Sequence, residues 1–213
     1  MSELARILPA EAAIAAVPEI QILHLGLSDI KEIVRHKPLA MHEMGLATWH
    51  AALSTGRFNL NPMMLSAHVD SSDPNLLRHV SRALNQKVLF DLCYSYGIIP
   101  GQDLEEPALQ VTTAHLFPNR LHIADVKLLD PRKPVENASQ KDDQSHESLH
   151  LFGELLINAR AAARAIKAEK MTLTASHSEL LPVFTAHGFE VENSEMGRMA
   201  AKFGLGIPME LLL

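Results

Sequence analysis

Five consecutive residues of this 213-residue chain, His146-Glu147-Ser148-Leu149-His150, spell HExxH, and Gly153 extends the match to HExxHxxG. On a helix, histidines at i and i+4 share a face and can bind zinc while the glutamate activates a water, the chemistry of a hydrolase. The next ligand position of the longer pattern holds Leu156, which leaves Glu169 and Glu179 as distant candidates for a third ligand. The residues before His146, Lys141 to Ser145, are all polar, whereas a buried metal helix wants apolar support. A polar helix start with two exposed histidines satisfies the same letters. Among the twelve histidines, His36, His42, His50, His68 and His79 show no shared ligand spacing and read as surface or interface residues. His115 and His122 sit on strand-like runs. Cys93 is alone, so it forms neither an intramolecular disulfide nor a cysteine zinc site.

Composition bounds the rest. Hydrophobic residues make up 47% and charged residues 21%, the make-up of a globular chain. Aromatic residues are only 5%, so the core must rest on Leu, Ile, Val, Met and Ala. The net charge of −6 and the lack of a Lys/Arg cluster argue against broad electrostatic capture of nucleic acid. No apolar run nears the roughly 18 residues that would span a bilayer. The start has no basic segment, and Glu3, Arg6 and Glu11 interrupt its apolar residues, unlike a secretory signal. A soluble, cytoplasmic protein with no membrane partner is expected.

The elements that would position the candidate groups follow from periodicity. Residues 1–18, bounded by Pro9 and Pro18, form a short helix or arm. Glu19 to Leu27 alternates as a strand, and Ser28-Asp29 caps a helix carrying Ile30, Ile33 and Val34. After Pro38 a second helix carries Leu39, Met44, Leu46, Trp49 and Leu53, with Trp49 as a core anchor and Gly56 as its stop. Asn61-Pro62 and Ser71-Ser72-Asp73 mark loops, and Asp73-Pro74 caps a helix running from Leu76 toward Leu92, closed by Gly97. Its second half, Val88 to Tyr96, is equally readable as a strand. Leu109 to Phe117 and Leu121 to Leu129 form an antiparallel hairpin around Pro118-Asn119, although the second run alternates cleanly only at Leu121 and Ile123. Asp130 to Ser148 reads as a long surface loop. Leu149, Phe152, Leu155, Leu156, Ala159, Ala163 and Ile166 make a helical stripe, with Arg160, Arg164 and Lys167 toward its C-terminal end. Met171 to Ala175 is a strand, Glu179 to His187 a short helix stopped by Gly188, Phe189 to Val191 a strand, and Met209 to Leu213 a last strand.

Lys170 to Val191, KMTLTASHSELLPVFTAHGFEV, resembles the last motif of the GNAT superfamily of acyl-CoA N-acyltransferases. In that family a strand leads to a short helix with a Leu-Tyr-x-x-x-Gly-Phe pattern, and Val183-Phe184-Thr185-Ala186-His187-Gly188-Phe189 stands in its place. Leu129-Asp130-Pro131 resembles the Val-x-Pro end of the family's fourth strand, and the helix after Ser148 its central helix. The opening strand at Glu19 and the Ser28-Asp29 helix fit the same order. The resemblance implies an α/β fold: a GNAT-like mixed, largely antiparallel sheet flanked by helices, over a single domain 19–213 preceded by the arm 1–18.

It also implies a site. The fourth and fifth strands part, and the pantetheine arm of acyl-CoA pairs with the exposed backbone like an added strand. Here Lys127, Leu128 and Leu129 would hold it, with His177 at the position of a pantetheine-binding Asn. The pyrophosphate would meet Gln144, Ser145, His146, Ser148 and Leu149 at the N-terminus of the central helix. Asp125 would be the base or position a water, with His122 as a second catalytic candidate. The segment departs from the family's Arg/Gln-x-x-Gly-x-Gly/Ala signature, because Glu147 and Leu149 fill both glycine positions of Gln144 to Leu149. Phe184 replaces the tyrosine that often protonates the departing thiolate, so the acid is unassigned. The expected function is transfer of an acyl group, acetyl for preference, from acetyl-CoA or another acyl-CoA to an amine on a small molecule or protein. No metal is required, and a homo-oligomer is left open. A catalytically inactive GNAT-like binding module is the alternative, and the zinc hydrolase is a third.

Overall fold

The short alternating runs of the first two-thirds and the helical stripe near the end come together as one eight-stranded sheet with helices on both faces. The computed structural model describes residues 2–56, 75–102, 107–134 and 146–213. The strands are β1 (Gln21–Gly26), β2 (Leu89–Ile98), β3 (Leu109–Leu116), β4 (Arg120–Pro134), β5 (His146–Ser148), β6 (Lys170–His177), β7 (Glu190–Val191) and β8 (Leu205–Leu212). The helices are α1 (Ala10–Ala16), α2 (Ile30–His36), α3 (Ala40–Ser54), α4 (Leu76–Leu84), α5 (Phe152–Ala165), α6 (Leu181–Ala186) and α7 (Glu195–Phe203). The sheet runs β1-β2-β3-β4-β6-β8-β7, with β5 added to the edge of β4. Every pairing is antiparallel except β4 with β6. This is the mixed, largely antiparallel α/β architecture expected. Among the described residues no helix is long and apolar enough to cross a membrane.

Strand alternation divides the core in two. Cys93, Leu109, Val111, Leu121, Ile123 and Leu128 point to one face, where the buried stripe of α5 (Leu155, Leu156, Ala159, Ala163) covers them. Leu92, Tyr94, Tyr96, Ala114 and Leu116 point to the other, beneath α2 and α3. A third cluster, with Trp49, Ala52, Val80 and Val88, joins α3 to α4.

The segment 1–18, read as an arm, is built into the first of these cores. Leu4, Ile7, Leu8 and Val17 are each 2% exposed or less and pack in the same cluster as α5. Four other expectations change. The helix after Asn75 ends at Leu84, because Asn85 takes a left-handed conformation (φ +50°) that its short polar side chain tolerates; β2 starts four residues later. The supposed loop after Asp130 begins as strand, since β4 continues to Pro134 and pairs with β5. A helix absent from the sequence reading, α7, is capped by Ser194, whose hydroxyl accepts from the Gly197 N–H at 3.0 Å. Its large apolar Met199 and Phe203 face solvent, while Met196 and the small Ala200 and Ala201 pack inward. The HExxH histidines do not share a helical face: His146 to Ser148 is strand and His150 has φ +56°. Among the described residues no three His, Cys, Asp or Glu side chains gather as metal ligands. The loops at Asn61-Pro62 and Ser71 to Asp73, the cap at Asp73-Pro74, and Met63, Met64 and His68 lie outside the described residues.

Between β3 and β4 the register slips by one. Thr112 faces Asp125 and Thr113 faces Ile123, so Ala124 is an extra residue, a β-bulge. A second close fit lies at Gly197, where an added Cβ would come within 2.1 Å of the Glu192 carbonyl oxygen.

Two substitutions test these placements. Leu4→Ala is expected to cost about 2–5 kcal/mol in urea unfolding, the range for truncating a core leucine; a cost below 0.5 kcal/mol would return residues 1–18 to the status of an arm. Gly197→Ala is expected to destabilise despite the roughly 1 kcal/mol gain in helix propensity, because the carbonyl it meets is backbone and cannot rotate away.

Candidate active site

The parallel pair is short. β4 and β6 match only from Arg120 opposite Lys170 to Ile123 opposite Leu173. Beyond that point β6 pairs with β8 alone, as far as His177 opposite Leu205. β4 meets β5 only from Leu129 opposite Ser148. The edge of β4 at Ala124–Lys127 therefore faces a gap across from Thr174 to His177.

The end of that gap is closed by the chain leading into α5. The Leu149 N–H donates to the Leu128 carbonyl at 2.8 Å, and the Leu129 N–H donates to the Ala108 carbonyl at 3.0 Å on the β3 side. Leu128 and Leu129, expected to hold pantetheine, thus have these groups paired within the fold, and the gap-facing stretch lies just before them. Three residues after Leu149, α5 begins. No side chain caps its first turn, and an added Cβ at Gly153 would meet nothing within 4 Å. The residues that precede the helix are His146 to Leu151 rather than Gln144 to Leu149. His150, not Glu147, occupies the left-handed position where glycine is at ease. Glu147 turns out to an exposed ion pair with Lys133 at 3.1 Å. The Ser148 hydroxyl accepts from the His150 N–H at 3.1 Å. Gln144 and Ser145 lie outside the described residues. His177 is exposed at the end of β6.

The bulge decides which side chains meet. In an unbroken strand, residues 122 and 125 would face opposite ways. The extra residue turns both to the α2–α3 face, His122 opposite Ala114 and Asp125 opposite Thr112. Asp125 Oδ2 receives Lys37 Nζ at 2.6 Å and Gln110 Nε2 at 3.3 Å. Among the described residues both contacts fall on this one oxygen. Gln110 is held from behind by the Tyr94 hydroxyl, which donates to Oε1 at 2.8 Å. Tyr94 stacks on Tyr96 with centroids 4.9 Å apart, and His36, last residue of α2, lies over both. This packing delivers the next residue, Lys37, to the carboxylate. Glu43, on the first turn of α3, is exposed at its surface yet crowded by neighbours: burial first, then the charge of Asp125, raises its pKa, against the pull of Lys37 and His42.

His122 lies deeper. It is 7% exposed, and its Nδ1 is 3.0 Å from the Thr172 hydroxyl. Burial, aided by the charge of Arg120 and by His50, lowers its pKa to about 4. Arg120 reaches Glu192 at 3.4 Å and the Ser54 hydroxyl at 3.1 Å, and Glu192 also approaches His50 at 3.6 Å. Burial lowers the pKa of His50, with Glu192 opposing. His42 and His50 are thus inward-facing groups of α3, not the surface residues expected. His115 is occupied elsewhere, 2.8 Å from Asn119 Oδ1. Lys37, Glu43, His50 and Glu192 escaped sequence reasoning. Only the helical spacing of Glu43 and His50, seven apart and so on one face, hinted at any of them.

Phe184 packs edge-on against Phe152 (5.8 Å between centroids) and Phe189 (6.4 Å), at the foot of α5. Arg160 anchors the turn after α6 by donating to the His187 carbonyl at 2.7 Å.

No protein-family model matches the chain, and no curated protein matches it. Several solved structures share part of its shape. A nourseothricin acetyltransferase is 16% identical with a TM-score of 0.31, over 57% of this chain and 64% of that one. The chain therefore spans less than two-thirds of that protein. An acetyltransferase of Bacillus subtilis, solved in complex with CoA, is 14% identical with a TM-score of 0.33, over 58% of this chain and 76% of that one. An acetyltransferase of Streptococcus agalactiae is 9% identical with a TM-score of 0.36, over 92% of this chain and 99% of that one. Likeness at these TM-scores carries no argument. The strand order, the one parallel junction that parts, and the helix entered from the edge of β4 make the fold GNAT-like.

The buried histidines set a pH dependence. The folded state resists protonating His122 until about pH 4, whereas an unfolded histidine titrates near 6.5. The unfolded state therefore binds more protons in between, and stability falls as pH drops from about 6.5 toward 4. Full exposure of this one linkage is worth on the order of 3 kcal/mol. Urea midpoints at pH 7 and pH 4.5 should differ less in His122→Asn than in the parent; equal differences would show that His122 is not held neutral.

Proposed function

We propose that the chain transfers an acyl group from acyl-CoA to an amine. The parting of β4 from β6 after Ile123 and Leu173 carries this reading. A pantetheine arm laid in the gap would pair with the backbone of Ala124–Lys127 as an added strand. That would bring the thioester to the bulge, beside Asp125. The uncapped first turn of α5 would meet the pyrophosphate, where backbone N–H groups and the helix dipole favour an anion. The side chains of His150 and Phe152 make this cradle tighter than a glycine-rich one.

The acceptor would enter from the α2–α3 face. Its nitrogen attacks the thioester carbonyl carbon, the C–S bond breaks, and an amide and a thiolate result. The proton lost by nitrogen goes to Asp125, directly or through water. Lys37 holds Oδ2 at 2.6 Å, so Oδ1 is the atom turned to the acceptor. His122, neutral above about pH 4, serves as a neutral hydrogen-bonding group rather than an acid. Phe184 has no proton to give, so the thiolate leaves as such or takes its proton from solvent. Acetyl-CoA is the simplest donor, and the acceptor amine belongs to a small molecule or a protein.

Titration calorimetry with acetyl-CoA should show one site per chain. Asp125→Asn should leave that binding within about twofold while slowing amine-dependent CoA release by 10²–10⁴, the usual weight of a general base. Absence of acetyl-CoA binding would favour the second reading, a GNAT-like module without catalysis. The paired backbone at Leu128 and Leu129 and the phenylalanine at 184 support that reading.

A further inference from the structure

A second concave site lies away from the β4–β6 gap. A cavity of about 610 Å³ opens between α2, α4 and the start of β2. Its floor is apolar: Ile30 and Val34 from α2, Met41 from α3, Leu77 from α4, and Val88 with Leu89 at the entry to β2. Its rim is cationic: Lys31, Arg78 and Lys87. Among the described residues no carboxylate lines it, in a chain whose net charge is −6. Among the described residues none of the three cations enters an ion pair. The surrounding charges do pair: Glu32, next to Lys31, holds Arg35 at 2.7 Å. Val34, with 36% of its surface exposed, stands at the open side.

The position is distinct from the candidate active site. Leu89 pairs with Leu116, and Leu116 with Arg120. The cavity therefore sits at the end of the sheet where β4 and β6 are still joined, two strands from the gap. A thioester carrier held between those strands would not place its acyl chain here.

We propose that this cavity binds a small anionic amphiphile: a hydrocarbon chain or ring bearing one carboxylate or phosphate. A volume of this size suits a drug-sized ligand, and such pockets combine apolar walls with a few placed polar groups. Three cations of one sign around an apolar floor select against neutral and cationic amphiphiles, since a buried tail and a rim-bound anion must be satisfied together. The lining comes from three helices and the start of a strand around one concave floor, a shape that suits a free ligand better than a bilayer.

The test is calorimetry with laurate, lauryl phosphate, dodecanol and dodecyltrimethylammonium, each below its micellar concentration. One of the two anions should bind at one per chain, at least tenfold tighter than the alcohol or the cation; the tighter anion identifies the head group. The exposed double variant Lys31→Glu/Arg78→Glu should weaken it at least tenfold, and Val34→Trp should block it. The variants should bind acetyl-CoA within twofold of the parent, and a parent that does not bind acetyl-CoA should still bind the anion. Equal affinity for dodecanol, indifference to charge reversal, or displacement of laurate by acetyl-CoA would each overturn the proposal. So would binding to anionic vesicles without binding of the monomeric amphiphiles, or a dimer in sedimentation that the Val34→Trp change dissolves.

Discussion

One surplus residue in a strand governs the candidate site. Ala124 has no counterpart in β3, and its presence rotates the remainder of β4 by half a pleat. Two consequences follow together. Asp125 joins His122 on a single face, and the distal part of β4 is re-aimed so that it leaves its parallel neighbour. A regular β4 would bury Asp125 against the stripe of α5, where an unpaired carboxylate is far too costly to keep charged. The bulge thus allows a charged group and a strand edge to occur at the same place on the sheet.

The α2–α3 face then has to accommodate that charge, and it does so by layers. Nearest the helices, Lys37 and Gln110 satisfy Asp125, and stacked tyrosines stiffen Gln110. Deeper, toward β6, Arg120 and Glu192 neutralise each other beside histidines that burial keeps uncharged. The first layer carries the Lys37–Asp125 ion pair at the edge of solvent; in the second, burial holds the pKa of His122 and His50 below the ordinary histidine value.

Much of this architecture was legible because side-chain period is a direct record of burial. The α5 stripe, the β3–β4 hairpin and the Gly188-Phe189 turn all follow from spacing and turn residues. The uneven alternation beyond Ile123 was itself the trace of the bulge. What stayed hidden has a common cause, namely contacts made across the chain. Between Lys37 and Asp125 lie α3, α4, β2, β3 and the start of β4, and nothing local distinguishes Lys37 from any other lysine. α7 shows the opposite failure: its large apolar residues Met199 and Phe203 point outward, and the face it turns inward is mostly alanine and glycine. HExxH misled because the letters encode a helix only if the backbone is helical, and here pairing with β4 imposes extension. Gln144 and Ser145 fall outside the described residues, so the early reading of the phosphate loop is only partly placed.

The burial of Leu4, Ile7 and Leu8 against α5 has a consequence for synthesis. The surface that covers these side chains, Leu155 to Ala163, leaves the ribosome about 150 residues after them. At translation speeds of about 5–20 residues per second the nascent chain displays an unsheltered greasy segment for many seconds. This core closes only when α5 has been made.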